Sequence, residues 1–221
     1  SAAAVRQAAR QLGVSTNTFQ VAAIAQCFLS QAPGDPKAAA VIRISVNMRR
    51  YYPASAGHGP LWGNHVGAFL IIEQDAGKSL KDRVRSVGEQ MKEGQARFAR
   101  REMCWTYLLE ELMPLLGRTL LSHISVQMKR KDRFPAISCH STSLGDAGPI
   151  INPPDVAVRI DEFVPVVSSV SPLQVLSEAG GRLLMPHVWQ LAETSAEDID
   201  AFLIRLDQTF ERLVAEAAQL A

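Results

Sequence analysis

Cysteine is scarce in this chain of 221 residues, and the three present, Cys27, Cys104 and Cys139, stand far apart. So few thiols so widely spread exclude a disulfide framework and a cysteine zinc site. Net charge is equally scarce: a formal +1 leaves no global field to draw the chain onto nucleic acid or a membrane surface. No apolar run approaches the roughly 20 residues a membrane span requires. The opening Ser1-Ala2-Ala3-Ala4 lacks the charged and apolar regions of a secretory signal. A soluble, reducing, cytoplasmic setting is therefore expected, with no metal and no covalently bound cofactor. Repeats at solenoid periods and low-complexity stretches are missing too.

Familiar catalytic signatures are also missing. Gly77-Lys78-Ser79 ends like a phosphate-binding loop, but Ile72 stands where the first glycine is needed. There is no G-x-S-x-G elbow. His58, His65, His123, His140 and His187 are dispersed, without a second ligand at helical metal spacing, and each is more readily a structural histidine than a catalytic one. Cys139 and His140 are neighbours, but adjacent strand residues point to opposite faces, so they form no dyad.

What is present is organised around Val41–Arg50. Ile42, Ile44, Val46 and Met48 alternate with Arg43, Ser45, Asn47 and Arg49, which is the period of a strand with one buried and one polar face. Before it, residues 2–12 read as a short helix stopped by Gly13, and a second helix runs to about Leu29, capped by Ser15 or Thr16. That second helix is apolar nearly all round and is expected to lie on the Ile42 face. After the strand come a loop over Pro53–Pro60 and a second strand, Val66–Glu73. A capping box at Ser79-Leu80-Lys81-Asp82 opens a long helix bearing Leu80, Val84, Val87 and Met91, with Glu93–Arg97 paired at i, i+4. Arg97-Phe98-Ala99-Arg100-Arg101 reads as a solvated helix face rather than a phosphate site.

A further helix is expected over about Glu102–Leu116, carrying Met103, Tyr107, Leu108, Leu112 and Leu115. An exposed loop follows at Lys129–Arg133. Strands are expected at Ala136–Ser141 and Val156–Asp161, with Val164–Ser168 as an extension of the latter past Pro165, at an edge or a break. Ser141–Pro149 reads as a small-residue loop. Leu173–Glu178 and Arg182–Trp189 form a hairpin through Gly180-Gly181. A closing helix over Glu193–Ala221 is capped by Ser195 and striped by Ile199, Phe202, Leu206, Phe210 and Leu213. The order predicts an α/β layered domain with a mixed sheet, not a doubly wound nucleotide fold.

Taken in order, the capped helix from Val14, the strand ending Ser45-Val46-Asn47-Met48-Arg49-Arg50, Tyr51-Tyr52-Pro53, Gly63-Asn64-His65-Val66-Gly67, the Thr142-Ser143-Leu144-Gly145 segment and the Gly-Gly-Arg-Leu hairpin resemble one family. It is the C-terminal half of the condensation-domain-like acyltransferases, which include peptide-synthetase condensation domains, alcohol O-acetyltransferases and wax-ester synthases. The resemblance implies a chloramphenicol-acetyltransferase-like lobe spanning 1–221, with a helical segment about 79–117 inserted between strands.

The family's H-H-x-x-x-D motif belongs to the other, N-terminal lobe, and no histidine here is followed four residues later by aspartate. The implied function is one wall of an acyl-transfer channel, inactive alone. The acyl donor would be a thioester of coenzyme A or of a carrier's phosphopantetheine, and the acceptor a hydroxyl or amine. Arg49, or Arg50 in the alternative register, is implied as the counter-charge of the missing motif's aspartate. Thr142 and Ser143 are implied near the oxyanion, and Asn47, Asn64 and His65 beside the channel. Implied partners are the N-terminal lobe and an acyl-coenzyme A or carrier protein, with self-association through the face near Trp62–Phe69 and Ser141–Gly148. The other reading is a non-catalytic scaffolding or carrier-binding domain of the same fold. A stand-alone enzyme built on His140 and Ser141, or on His187, lacks a base and nucleophile placed together.

Overall fold

The computed structural model describes residues 1–51, 65–102, 112–131, 137–161, 163–167, 169 and 171–219. Helices α1 (Ala2–Gln11) and α2 (Thr16–Leu29) lead into β1 (Ala39–Asn47), a 3-10 turn (Met48–Tyr51) and β2 (Val66–Gln74). Helix α3 (Leu80–Ala99) follows, then a 3-10 turn (Met113–Leu116), α4 (Gly117–Arg130), β3 (Cys139–Asp146) and a one-turn α5 (Gly148–Ile151). The chain continues through β4 (Leu173–Ala179), β5 (Arg182–Leu184), β6 (His187–Val188) and α6 (Ala196–Gln219). The strands make one six-stranded sheet in the order β2-β1-β3-β4-β5, with β6 also on β4. β1, β3 and β4 run parallel, and β2, β5 and β6 run against their partners. This is the mixed α/β layered lobe that the sequence pattern implies.

Helix starts follow the side-chain chemistry. Ser15 is the cap of α2, its Oγ accepting from the Thr18 N–H at 3.1 Å. Ser79 and Ser195 each cap their helix reciprocally, accepting from the backbone N–H three residues on and donating to that aspartate's carboxylate. Helix α2 is buried all round, as its composition requires. Phe19, Val21, Ala22, Ala23, Ile24 and Ala25 share one core with Ile42 and Ile44 of β1, Ile71 of β2, Cys139 of β3 and Leu176 of β4. The alanines let the helix axis come close to the sheet, while α3 (Val84, Val87, Met91) and α6 (Phe202, Leu206, Phe210, Leu213) close over its sides. Phe19 meets Phe210 edge-on at 6.5 Å between ring centroids.

A charged cluster pins α3 to β2 inside this layer. Glu73 and Arg83 are each 1% exposed. Glu73 Oε2 accepts from Arg83 Nη1 at 3.3 Å and from Lys78 Nζ at 2.9 Å, while Oε1 is held by the Ser86 hydroxyl and by Gln90 Nε2. Gln90 also bridges the N–H and C=O of Ile72, at 2.8 and 3.1 Å. Its amide thereby supplies the next strand's hydrogen bonds to an edge that would otherwise template aggregation.

Several boundaries differ from the sequence reading. β1 ends at Asn47 and not near Arg50: the Asn47 Oδ1 accepts from the Arg49 N–H at 3.1 Å, turning the chain into the 3-10 segment and taking Met48 and Arg49 off the strand. β3 is Cys139–Asp146, so most of the expected Ser141–Pro149 loop is strand. Its polar run escapes a propensity reading because parallel pairing, with β1 as far as Ser141 and with β4 along to Asp146, and not composition, holds it there.

Val156–Ile160 alternates yet joins no ladder among the described residues. It is exposed and irregular, tied by Asn152, whose amide pairs with both backbone groups of Ile160. Val164–Val167 is likewise outside any strand. The expected helix ending at Leu116 is a 3-10 turn there, and α4 begins at Gly117, whose φ of +71° breaks the run and carries Lys129 and Arg130 into helix. Glu93 pairs with Arg100 at 3.0 Å and Arg97 with Glu102 at 3.1 Å, instead of with each other. The return arm of the last hairpin divides at Met185-Pro186 into β5 and β6. Met103, Tyr107, Leu108 and the loop over Pro53–Pro60 lie outside the described residues.

Candidate functional site

The sheet has a second face that α2, α3 and α6 do not cover, and strand register decides what stands on it. β1 opposite β2 pairs Asn47 with Val66, Ser45 with Ala68, Arg43 with Leu70 and Val41 with Ile72. β1 beside β3 sets Arg43 next to His140, and β3 beside β4 sets His140 next to Leu173 and Thr142 next to Val175. The outcome is a polar lane, Arg43, Ser45, His140 and Thr142, flanked by an apolar strip. Val66, Leu70 and Ile72 are 54, 44 and 49% exposed, which is wet for β-branched and leucine side chains lying in register on a strand.

Asn47, Arg49 and His65 gather at one end of this face. The His65 carbonyl accepts from the Met48 N–H at 2.9 Å and closes the mouth between β1 and β2. That end is the carboxyl edge of parallel β1, β3 and β4, the edge where open α/β sheets place their ligand sites. Arg49 is exposed; Arg49, Arg43, His65 and His140 each already have a partner within this chain. Thr142 and Ser143 separate. Thr142 shares the uncovered face with His140, whereas Ser143 pairs with Leu176 on the opposite side. Ser143 Oγ accepts from the Gly145 N–H at 3.4 Å, beside a register shift that Gly145 permits at φ +68°. Asn64 and Trp62 lie outside the described residues.

Neither buried thiol is a nucleophile. Burial pushes Cys27 up to about 11 and raises Cys139 further still. Cys139 sits in the core while His140 faces the other way, as adjacent strand positions must.

One polar group has more structure than its lone histidine suggests. Gln174, fully buried, donates from Nε2 to the carbonyls of Met185 and Pro186 at 2.7 and 3.2 Å. With both amide hydrogens engaged, its Oε1 accepts, so His187 Nδ1, 3.1 Å away, carries the proton. Burial holds the imidazole down to about 4, among Trp189 and Phe202. It is a neutral fastener between β6 and β4. The signal available in sequence was only a glutamine in an apolar strand, which must find partners when buried. Among the described residues, no His/Cys/Asp/Glu group could hold a metal ion, and no helix is long and apolar enough to cross a membrane.

Comparison with known proteins adds what residue chemistry does not. No family model matches the chain, and no curated protein matches it. Solved structures do. The first condensation domain of the CDA synthetase superposes with a TM-score of 0.60 at 15% identity, over 98% of this chain and 43% of that one. The PapA2 acyl transferase gives 0.60 at 13% identity, over 96 and 41%. The epimerization domain of tyrocidine synthetase B gives 0.58 at 9% identity, over 98 and 45%. The chain therefore has the fold of one lobe of these domains, and it spans less than half of their length.

Proposed function

We propose that this chain is the C-terminal lobe of an acyltransferase, moving an acyl group from a thioester to a hydroxyl or amine. The observation that carries the reading is the superposition of nearly the whole chain on less than half of a condensation domain and of an acyl transferase. The uncovered face supports it. An apolar strip beside a polar lane at the carboxyl edge of parallel strands is a surface suited to a second lobe and a channel. The donor is coenzyme A or a carrier's phosphopantetheine, and the other lobe supplies the histidine base.

The reaction balances simply. The base takes the acceptor's proton, the acceptor oxygen or nitrogen bonds to the thioester carbon, the C–S bond breaks, and the thiolate leaves to be protonated. On this chain Thr142 is the better-placed of the two expected oxyanion donors, since it shares a face with His140 and Arg43. Arg49, exposed at the same edge, is the candidate counter-charge for a carboxylate of the other lobe, exchanging its present partner on docking. Asn47 and His65 lie at the mouth.

The test is to express this chain with an N-terminal lobe carrying H-H-x-x-x-D and to follow thiol release from acyl-coenzyme A or an acyl-carrier. The assembled pair should consume thioester, and this chain alone should not. A folded, associated pair that leaves every thioester intact overturns the reading. The missing motif favours one other assignment, a non-catalytic carrier-binding domain of the same fold. A carrier protein that binds this chain tightly without any turnover in the pair would select it.

A further inference from the structure

Exposed apolar side chains gather in one helical stretch outside the sheet. Leu112 and the 3-10 turn lead into α4, and Gly117, at φ +71°, sets the bend between turn and helix. Leu115 beside that bend is 81% exposed, and Leu112, Leu116, Leu120 and Val126 are each about half exposed. Leu121, Ile124 and Met128 of the same helix are half-buried, so α4 has apolar residues turned inward and apolar residues facing water. A helix that only covered the lobe would keep its apolar residues on the inner side. Among the described residues its main packing partner is the 3-10 turn before it. Charge is equally one-sided. Residues 112–131 contain Arg118, Lys129, Arg130 and Lys131 and no aspartate or glutamate. Among the described residues, no ion pair or side-chain hydrogen bond engages Arg118, Arg130 or Lys131. The chain's formal +1 conceals this stretch because acids are concentrated elsewhere: α6 alone sets Glu197, Asp198, Asp200, Asp207, Glu211 and Glu216 against Arg205 and Arg212. Salt screens charges beyond about 8 Å, so the local cations and not the chain's total govern a contact made here.

We propose that α4 and the turn before it dock on an anionic lipid surface, the leucines entering the headgroup boundary and the cations facing the lipid phosphates and carboxylates. Wet leucines accompanied by cations alone are the composition of an interfacial helix, and one partner satisfies both parts of it. A second copy of this chain would cover the leucines but set the same cations against each other. At 14 residues α4 is too short to span a bilayer, so the contact is with the surface and does not cross it. The surface is formed within residues 112–131 and does not rest on the acyl-transfer reading.

The experiment is co-sedimentation of the full chain with vesicles of phosphatidylcholine, against vesicles of three parts phosphatidylcholine to one part phosphatidylserine. The chain should bind the anionic vesicles, bind the neutral ones about tenfold more weakly or less, and be released by added salt. Leu115→Ser with Leu120→Ser should weaken anionic binding by about tenfold or more, since each removes an apolar side chain from the headgroup boundary. Arg118→Gln with Arg130→Gln should weaken it about thirtyfold, at roughly fivefold for each cation near the surface. All four positions are exposed, and an unchanged thermal melt shows that each variant keeps the fold. Failure to bind the anionic vesicles, equal binding to both kinds, or binding undiminished in either pair of variants overturns the proposal. So does sedimentation showing two copies held together through these leucines in place of vesicle binding, or a partner protein that covers them and excludes the vesicles.

Discussion

Along β1 and β2 the two faces of the sheet are made by the same strands and behave oppositely, whereas β4 is buried on both. On the helical side, Ile42, Ile44, Ile71, Cys139 and Leu176 are buried under α2, α3 and α6, and the charges admitted there, Glu73 and Arg83, are paired. On the other side, the intervening residues of β1 and β2 are Arg43, Ser45, Leu70 and Ile72, half-buried or exposed. The difference teaches which half of each strand folds the lobe and which half is left for something else to cover. The covered face obeys packing. The uncovered one breaks it, with apolar side chains wet and polar ones ranked in a lane.

The sharpest way to break this contrast is at the buried charges. Arg83→Met leaves Glu73 with Lys78 as its paired cation and should cost about 3–5 kcal/mol in denaturant unfolding, with the double variant Glu73→Gln/Arg83→Met recovering a good part of it. A small loss for the single variant would mean that this face tolerates unpaired charge. Next in size, Ile42→Ala should cost about 2–5 kcal/mol and Ile71→Ala a similar amount, whereas Ile72→Ala, one residue along, should fall within about 0.5–1 kcal/mol. Equal losses at Ile71 and Ile72 would erase the distinction between the faces.

Acid should separate the regions further. His187 is held down to about 4 from an ordinary 6.5, so below pH 6.5 the unfolded chain takes up a proton that the native chain refuses. The stabilisation is whole above pH 6.5 and is lost as pH falls from there to about 4. It amounts to roughly 3 kcal/mol at most by the linkage relation. His187→Asn should flatten that part of the stability–pH curve, measured by urea unfolding at a series of pH values. Smallest in stability, Leu70→Ser with Val66→Ser should leave the isolated lobe nearly as stable while weakening its association with a partner lobe, read by sedimentation. Unchanged association would free the apolar strip from its proposed role.

Much of the fold was legible because its signals are local. Ser15, Ser79 and Ser195 announce their helices, and the stripes of α3 and α6 and the all-round apolarity of α2 state how deeply each is buried. Less was legible where structure depends on distant chain. Cys139–Asp146 is a strand because β4 pairs along it and β1 pairs with its first three residues, although its own residues suggest a loop. Val156–Ile160 has a strand's alternation and no neighbour to pair with among the described residues, so it is not one. At the candidate site, the alternation of β1 correctly set Arg43 and Ser45 apart from the core. It could not show that Asn47 would turn the chain and lift Arg49 off that row, nor that Thr142 and Ser143 would part to opposite faces. The Glu73–Arg83 pair was invisible in sequence, since a glutamate at a strand's end is ordinarily solvated.

The sequence alone determined helices α2, α3 and α6, strands β1 and β2, and the apolar face of each. Those follow from periodicity and capping, which act over a few residues. Only the tertiary structure decided strand order, register and the partners of buried charge. These depend on which segments far apart in the chain come to lie 5–10 Å from one another, roughly the spacing of paired strands and stacked layers, and no local pattern encodes that choice.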